Sequence, residues 1–160
     1  MKNEDTAVRS GREYPQAPIV GVAAVVVCGE TILLVRRGRE PMRGTWSLPG
    51  GALELGETTA EGIVREVCEE AGVQVRPVEV ITALDRIIRD EAGRVRFHYV
   101  LVEWLCLVEE KILPELLCGD DAIEARWIPY NEASLAEYDL GTDTLDVIEQ
   151  GWKLAETKAR

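Results

Sequence analysis

Aliphatic and β-branched residues dominate "IVGVAAVVVCGETILLVRRG", residues 19–38, in two runs separated by Cys28, Gly29 and Glu30. Runs of this length, broken by a glycine and closed by arginines, predict a β-hairpin. The next stretch, "REPMRGTWSLPGGALELGE", is too rich in Gly and Pro for a regular helix and predicts a long loop, with room for a short strand beside its glycines. From Thr59 to Ala71 the apolar period changes to that of a helix: Thr58 or Thr59 is placed to cap its start, and Gly72 to end it. β-Branched residues return from Val73 to Ile88, "RDEAGR" supplies a turn, and "VRFHYVLVEWLCLVE" resumes as a long strand, which makes a second hairpin. After a loop around "LPELLCGDD", "IEARWIPY" reads as one more strand, Asn131 as the cap of a short helix, and Thr142 as the cap of a final amphipathic helix reaching about Ala159. Strand pairs separated by helices, without a regular βαβ alternation, predict an α/β sandwich: a central mixed sheet with helices on both faces.

Length bounds this to one domain, since 160 residues suffice for one core and not for two. Residues 1–17 are polar and aperiodic and are read as a flexible N-terminal arm, with residues 18–160 as the domain. The arm is also the segment expected to dock on a second subunit if the chain forms a homodimer. No apolar signal core or membrane-length run is present, which makes the cytoplasm the default compartment. The four cysteines have no metal-type spacing and are expected to be buried, reduced thiols.

Charge changes the picture more. Asp and Glu number 29 against 18 Lys and Arg, for a net charge of −11, so duplex nucleic acid and anionic membranes are poor partners. An anionic small substrate would need a cation as intermediary. Yet the helix 59–71 carries Glu66, Glu69 and Glu70 within one arc, beside the apolar stripe of Ala60, Ile63, Val64, Val67 and Ala71, and Glu57 stands just before it. Arg65 is placed to pair with Glu69 one turn on, and one arginine cannot neutralise four carboxylates. Hard divalent cations such as Mg²⁺ or Mn²⁺ would do so.

The spacing is more specific than the charge. From Gly51 to Val73 the chain reads G, five residues, Glu57, seven residues, then Arg65-Glu66-Val67-Cys68-Glu69-Glu70-Ala71-Gly72-Val73. It matches every specified position of G-x5-E-x7-R-E-U-x-E-E-x-G-U, with U aliphatic, and in this the chain resembles the Nudix hydrolases. The surroundings "VGVAAVVV", "GTWSLPGG" and "EARWIP" are similar as well, over about residues 18–150.

The resemblance implies a Nudix-type α/β/α sandwich and Mg²⁺- or Mn²⁺-dependent hydrolysis of a nucleoside diphosphate linked to another group. ADP-ribose or a related nucleotide sugar is the first substrate expected. A MutT-like enzyme that cleaves noncanonical nucleoside triphosphates is the alternative, and a non-catalytic nucleotide sensor a third. By the match, Glu66, Glu69 and Glu70 would hold metal, joined by the Gly50 carbonyl. Glu66 is the first choice of general base, and Arg65 would orient Glu69 or another carboxylate of the box. Glu57 would support the cluster, while Asp120 and Asp121 are candidates for an outlying base or ligand. Arg36, Arg37 and Arg43 belong to the one local concentration of positive charge and are candidates for substrate phosphate, against a solvated hairpin end. Trp46 and Trp127 are expected to pack near the box. His98 reads as a strand residue without chemistry, and Glu103, odd among apolar neighbours, faces either the site or the wet side of the sheet.

Overall fold

A computed structural model describes residues 11–119 and 121–158. The first ten residues of the expected arm, Asp120 and Ala159 lie outside the described residues. Seven strands and three helices follow one another as β1 (Ile19–Cys28), β2 (Thr31–Arg37), β3 (Trp46–Ser47), β4 (Gly50–Ala52), α1 (Thr59–Ala71), β5 (Arg76–Arg89), β6 (Val95–Leu107), β7 (Ala122–Pro129), α2 (Glu132–Ala136) and α3 (Thr142–Lys158).

The sheet is mixed. β1 lies at its centre, parallel to β6 from Ile19↔Tyr99 to Val27↔Leu107, and β5 pairs antiparallel with β6 at the edge. On its other side β1 pairs with β2 only at Val27 and Cys28. Near its start β4 takes that place, with Gly21, Val22 and Ala23 opposite Ala52, Gly51 and Gly50. β2 meanwhile runs with β7 and, at Val35 and Arg36, with β3. β1 thus loses one neighbour and gains another along its length, and a cleft opens where β2 and β4 diverge.

Because β1 is covered on both faces, its residues are apolar at every position instead of alternating. Val22, Ala24 and Val26 pack with Ile63, Val67 and Ala71 of α1. Ala23, Val25 and Val27 pack with Val147, Ile148 and Ala155 of α3 and Leu135 of α2. The predicted helices on both faces are therefore present, and Thr142 is the first residue of α3 instead of its cap. Cys28 and Cys106 are buried and all four thiols are free; Cys68 and Cys118, expected to be buried, are exposed. The reason at Cys68 is helical phase: it follows buried Val67 by one residue, about 100° around α1.

Residues 11–17 of the expected arm run beside the β5–β6 hairpin. The Tyr14 N–H donates to the Arg96 carbonyl at 2.7 Å, the Tyr14 hydroxyl donates to Asp90 at 2.9 Å, and Glu13 pairs with Arg96 at 2.8 Å.

Candidate active site

The helix that carries the carboxylates starts and stops where its sequence says it should. Thr58 accepts from the Glu61 N–H at 3.1 Å while Glu61 accepts from the Thr58 N–H at 2.7 Å, a reciprocal cap. At the other end Gly72 has φ +71°, the left-handed turn that a Cβ disfavours, and its N–H returns to the Cys68 carbonyl at 2.9 Å.

Burying Ile63, Val67 and Ala71 against β1 turns Glu66 and Glu70 inward as well, at 8% and 7% exposure, while Glu69 stays exposed. Gly50 and Gly51 make room for them. A Cβ on Gly51 would lie 2.5 Å from the Glu66 carboxylate, and one on Gly50 would lie 2.0 Å from the Val22 carbonyl oxygen. The Gly50 N–H donates to Glu70 Oε2 at 3.2 Å. The glycine pair and the helix are thus fitted to each other.

Arg65 sits among the other carboxylates. Its guanidinium donates to both oxygens of Glu57 at 2.6 and 3.0 Å, to Glu66 Oε1 at 2.8 Å, to Glu69 Oε2 at 3.2 Å and to the Ala52 carbonyl at 3.1 Å. The expected Glu69 pairing is present, but it is the longest of these contacts to carboxylates. Glu57 is the principal partner, and the guanidinium with the Glu54 N–H holds its carboxyl at about 2. Glu70 receives no contact from Arg65. Burial pushes it up to about 8 against the opposing Gly50 N–H, with Glu66 and Asp121 adding repulsion. Glu66 is raised in the same direction by burial, with Arg65 opposing.

Of these carboxylates Glu70 lines a cleft of about 470 Å³. Its walls come from β2 and the loop after it (Arg36, Arg37, Arg39), from the glycine strand β4, from β6 (Tyr99, Leu101, Glu103) and from the start of α3 (Thr142 to Thr144). Arg37 Nε donates to the Pro41 carbonyl at 2.8 Å and Arg36 Nε to the Gly44 carbonyl at 2.9 Å, which ties both to the loop they precede. Arg43, grouped with them by sequence, is exposed and outside the cleft lining, because the turn from Met42 to Thr45 (Thr45 N–H to Met42 carbonyl, 3.2 Å) puts it at a tip.

Asp121 lines the cleft, with Oδ1 2.6 Å from Arg39 Nε, an ion pair by distance without the alignment of a hydrogen bond. Trp46 lines it too, edge-on to Tyr138 at 5.0 Å and under Arg126. Trp127 packs on the α1 side, its indole N–H on the Pro114 carbonyl at 3.0 Å. His98 is half-buried in β6 and outside the cleft lining.

Sequence reasoning missed Arg12, Arg86, Tyr99 and the α3 start as cleft residues. Arg12 stood in a segment without periodicity, and the rest gather only through the pairing of β6 with β1 and β5. Among the described residues no three of His, Cys, Asp and Glu converge into a cage for a metal ion. Arg65 holds one oxygen of Glu66 and of Glu69 and both of Glu57, while Glu70 has no ion pair among the described residues and feels Arg37 only through charge.

Residues 17–149 match the family model described as the NUDIX domain. An ADP-ribose pyrophosphatase of Methanocaldococcus jannaschii is 33% identical over 122 residues, 76% of this chain and 68% of that protein. A MutT-like protein of Streptomyces ambofaciens is 47% identical over 66 residues, 41% of this chain and 42% of that one. Among solved structures, a bifunctional NMN adenylyltransferase/ADP ribose pyrophosphatase of Francisella tularensis, complexed with AMP and a Mn ion, superposes with a TM-score of 0.64 at 27% identity, over 83% of this chain and 40% of that one. The chain therefore spans two thirds of the archaeal relative and less than half of the other two. With the box folded as a capped helix against a glycine strand, and the family model matched over most of its length, this chain belongs to the Nudix family.

Proposed function

We propose that the chain is a divalent-cation-dependent pyrophosphohydrolase that cleaves the anhydride of a nucleoside diphosphate linked to a further group, with ADP-ribose first among substrates. The observation that carries this reading is the pair Glu66 and Glu70, nine-tenths buried at the mouth of the glycine strand, with only one guanidinium contact between them. Burying two carboxylates this incompletely answered is costly, and a cation repays it. Their hard oxygen donors suit Mg²⁺ or Mn²⁺. Glu66 and Glu70 would hold the ion, with Glu69 and the Gly50 carbonyl as further ligands. Bound there, it would neutralise the pyrophosphate and acidify a water.

The chain's own groups do the rest. Gly50 and Gly51 let the backbone approach the anhydride closely. Arg36, Arg37 and Arg39, which line the same cleft, offer donors to phosphate oxygens. Arg65 fixes one oxygen of Glu66, whose carboxylate packs against Gly51 of the glycine strand. Glu66 is the first choice to take the proton of the attacking water, with Asp121, which lines the cleft and repels Glu70, as the outlying carboxylate.

ADP-ribose stands first because the relative named for it aligns over 76% of the chain, against 41% for the MutT-like one. The test is hydrolysis of ADP-ribose, dinucleoside polyphosphates and oxidised deoxynucleoside triphosphates with Mg²⁺, with products identified. ADP-ribose is expected to give AMP and ribose 5-phosphate, and EDTA to stop the reaction. Failure to cleave any of the panel overturns the reading, and a preference for the triphosphates turns it to the MutT-like alternative.

A further inference from the structure

Beyond the carboxylate pair the cleft continues across the sheet, and its floor holds a side chain that the chemistry above does not use. On the cleft face of β6, Tyr99, Leu101, Glu103 and Leu105 follow one another at every second position. Leu105 packs in the α3-side core, so an aliphatic residue would fit that row, yet Glu103 interrupts it at 4% exposure. Its Oε2 is closed to water and meets no hydrogen-bond donor among the described residues. Arg86, on β5 and lining the same cleft, acts on it through charge without a hydrogen bond. A carboxylate buried this way costs stability, and the fold gets no bond in return.

The sheet register says what lies within its reach. Glu103 stands opposite Ala23 of β1, and Ala23 opposite Gly50 of β4. Two strand spacings therefore separate Glu103 from the glycine beside Glu70, about 10 Å. That is the reach from a nucleotide's phosphate through its ribose to its base. Tyr99 and Leu101 supply apolar surface along the way, and Gly21, where a Cβ would meet Leu101 at 2.6 Å, keeps the floor open.

We infer that Glu103 reads the nucleoside half of the ligand, its carboxylate accepting hydrogen bonds from paired donors, the ribose diol or the N–H edge of the base, when the phosphates lie at the glycine strand. The inference rests on the proposed nucleotide-binding role of the cleft and not on which anhydride is cut. Because the site holds a polar group left unpaired without ligand, an analogue that lacks the donor should be rejected, as sites built to bond a donor reject its absence.

The probes are three nucleoside monophosphates that are not pyrophosphatase substrates: AMP, 2′-deoxy-AMP, which lacks half the diol, and IMP, which replaces the base amino group by a carbonyl. Calorimetric titration in Mg²⁺ of the whole chain and of its Glu103→Gln and Glu103→Leu variants gives, for each protein, the ratio of each analogue's Kd to that of AMP. The wild type should prefer AMP about tenfold or more over one analogue. Glu103→Gln, which keeps one acceptor oxygen, should narrow that preference, and Glu103→Leu should abolish it. The analogue rejected identifies the donor: 2′-deoxy-AMP for the ribose, IMP for the base. A preference that survives in Glu103→Leu overturns the inference, as does a wild type that binds all three alike or none. A protein that shows the Glu103-dependent preference and hydrolyses no anhydride would leave this inference standing and remove the proposed activity instead.

Discussion

Glu70 and Arg65 belong to the same helix and have opposite surroundings, and the difference decides what each substitution does. Glu70 accepts from one backbone N–H and has no ion pair among the described residues, Arg37 acting on it only through charge, so it is the carboxylate of the box most in need of an external cation. Glu70→Gln should abolish Mg²⁺-dependent hydrolysis, losing more than the roughly hundredfold that removal of an outer-shell partner costs. Activity in Glu70→Gln close to the wild type would take it out of the site. In the proposed site Arg65 would be such an outer partner, since it pairs with Glu57, Glu66 and Glu69 together. Arg65→Ala should cost about 10- to 100-fold in activity and weaken the Mg²⁺ dependence, a titration of rate against Mg²⁺ being the check. At Gly50 the effect is steric. A Cβ 2.0 Å from the Val22 carbonyl forces β4 off β1, and Gly50→Ala should lower the urea midpoint by the equivalent of about 1–3 kcal/mol.

α1 illustrates how an element can be read almost whole from its residues. Its cap, its apolar stripe and its glycine stop are all local, with hydrogen bonds three or four residues apart, and the expected span Thr59–Ala71 is the span observed. Thr58→Ala should therefore cost about 1 kcal/mol. Gly72→Ala, which puts a Cβ into a left-handed turn at φ +71°, should cost about 1–2 kcal/mol. Chemical denaturation of both variants checks the pair, and a neutral Gly72→Ala would mean that the helix ends some other way. Both hairpins were legible for the same reason, each turn being only a few residues long. Phase also divides the three carboxylates: from the centre of the Ile63, Val67 and Ala71 stripe, Glu70 lies about 60° around the helix, Glu66 about 100° and Glu69 about 160°, and the first two are buried while Glu69 is exposed.

At the scale of the whole molecule, the sheet brings a carboxylate from β6 into the cleft that Glu70 of α1 also lines. Burial pushes Glu103 up to about 7, well above the ordinary glutamate value of 4.5. Because the folded form holds its proton more tightly than the unfolded one, the associated stability is fully present below pH 4.5 and is lost as pH rises through 7. Glu103→Gln does not titrate, so its stability advantage over the wild type should grow by about 3 kcal/mol between pH 4.5 and 8. Urea unfolding of both proteins across that range measures it, and a constant difference would show that the side chain is not held as the fold implies. The candidates in the clustered arginines divide at this scale as well: Arg36 and Arg37 line the cleft with Arg39, and Arg43 is carried away on a turn.

What the sequence determined by itself was local: the family's box from Gly51 to Val73, the helix that displays it, and the hairpins on either side. Local hydrogen bonds and periodicity specify such segments, because their partners lie a few residues away. The tertiary structure alone decided what meets that segment. The departure of β1 from β2 opens the cleft, and the parallel pairing of β1 with β6 brings Glu103 within two strands of Gly50, though they are far apart along the chain. Register between distant strands is set by the packing of both faces of the sheet, and no single stretch of residues carries that information.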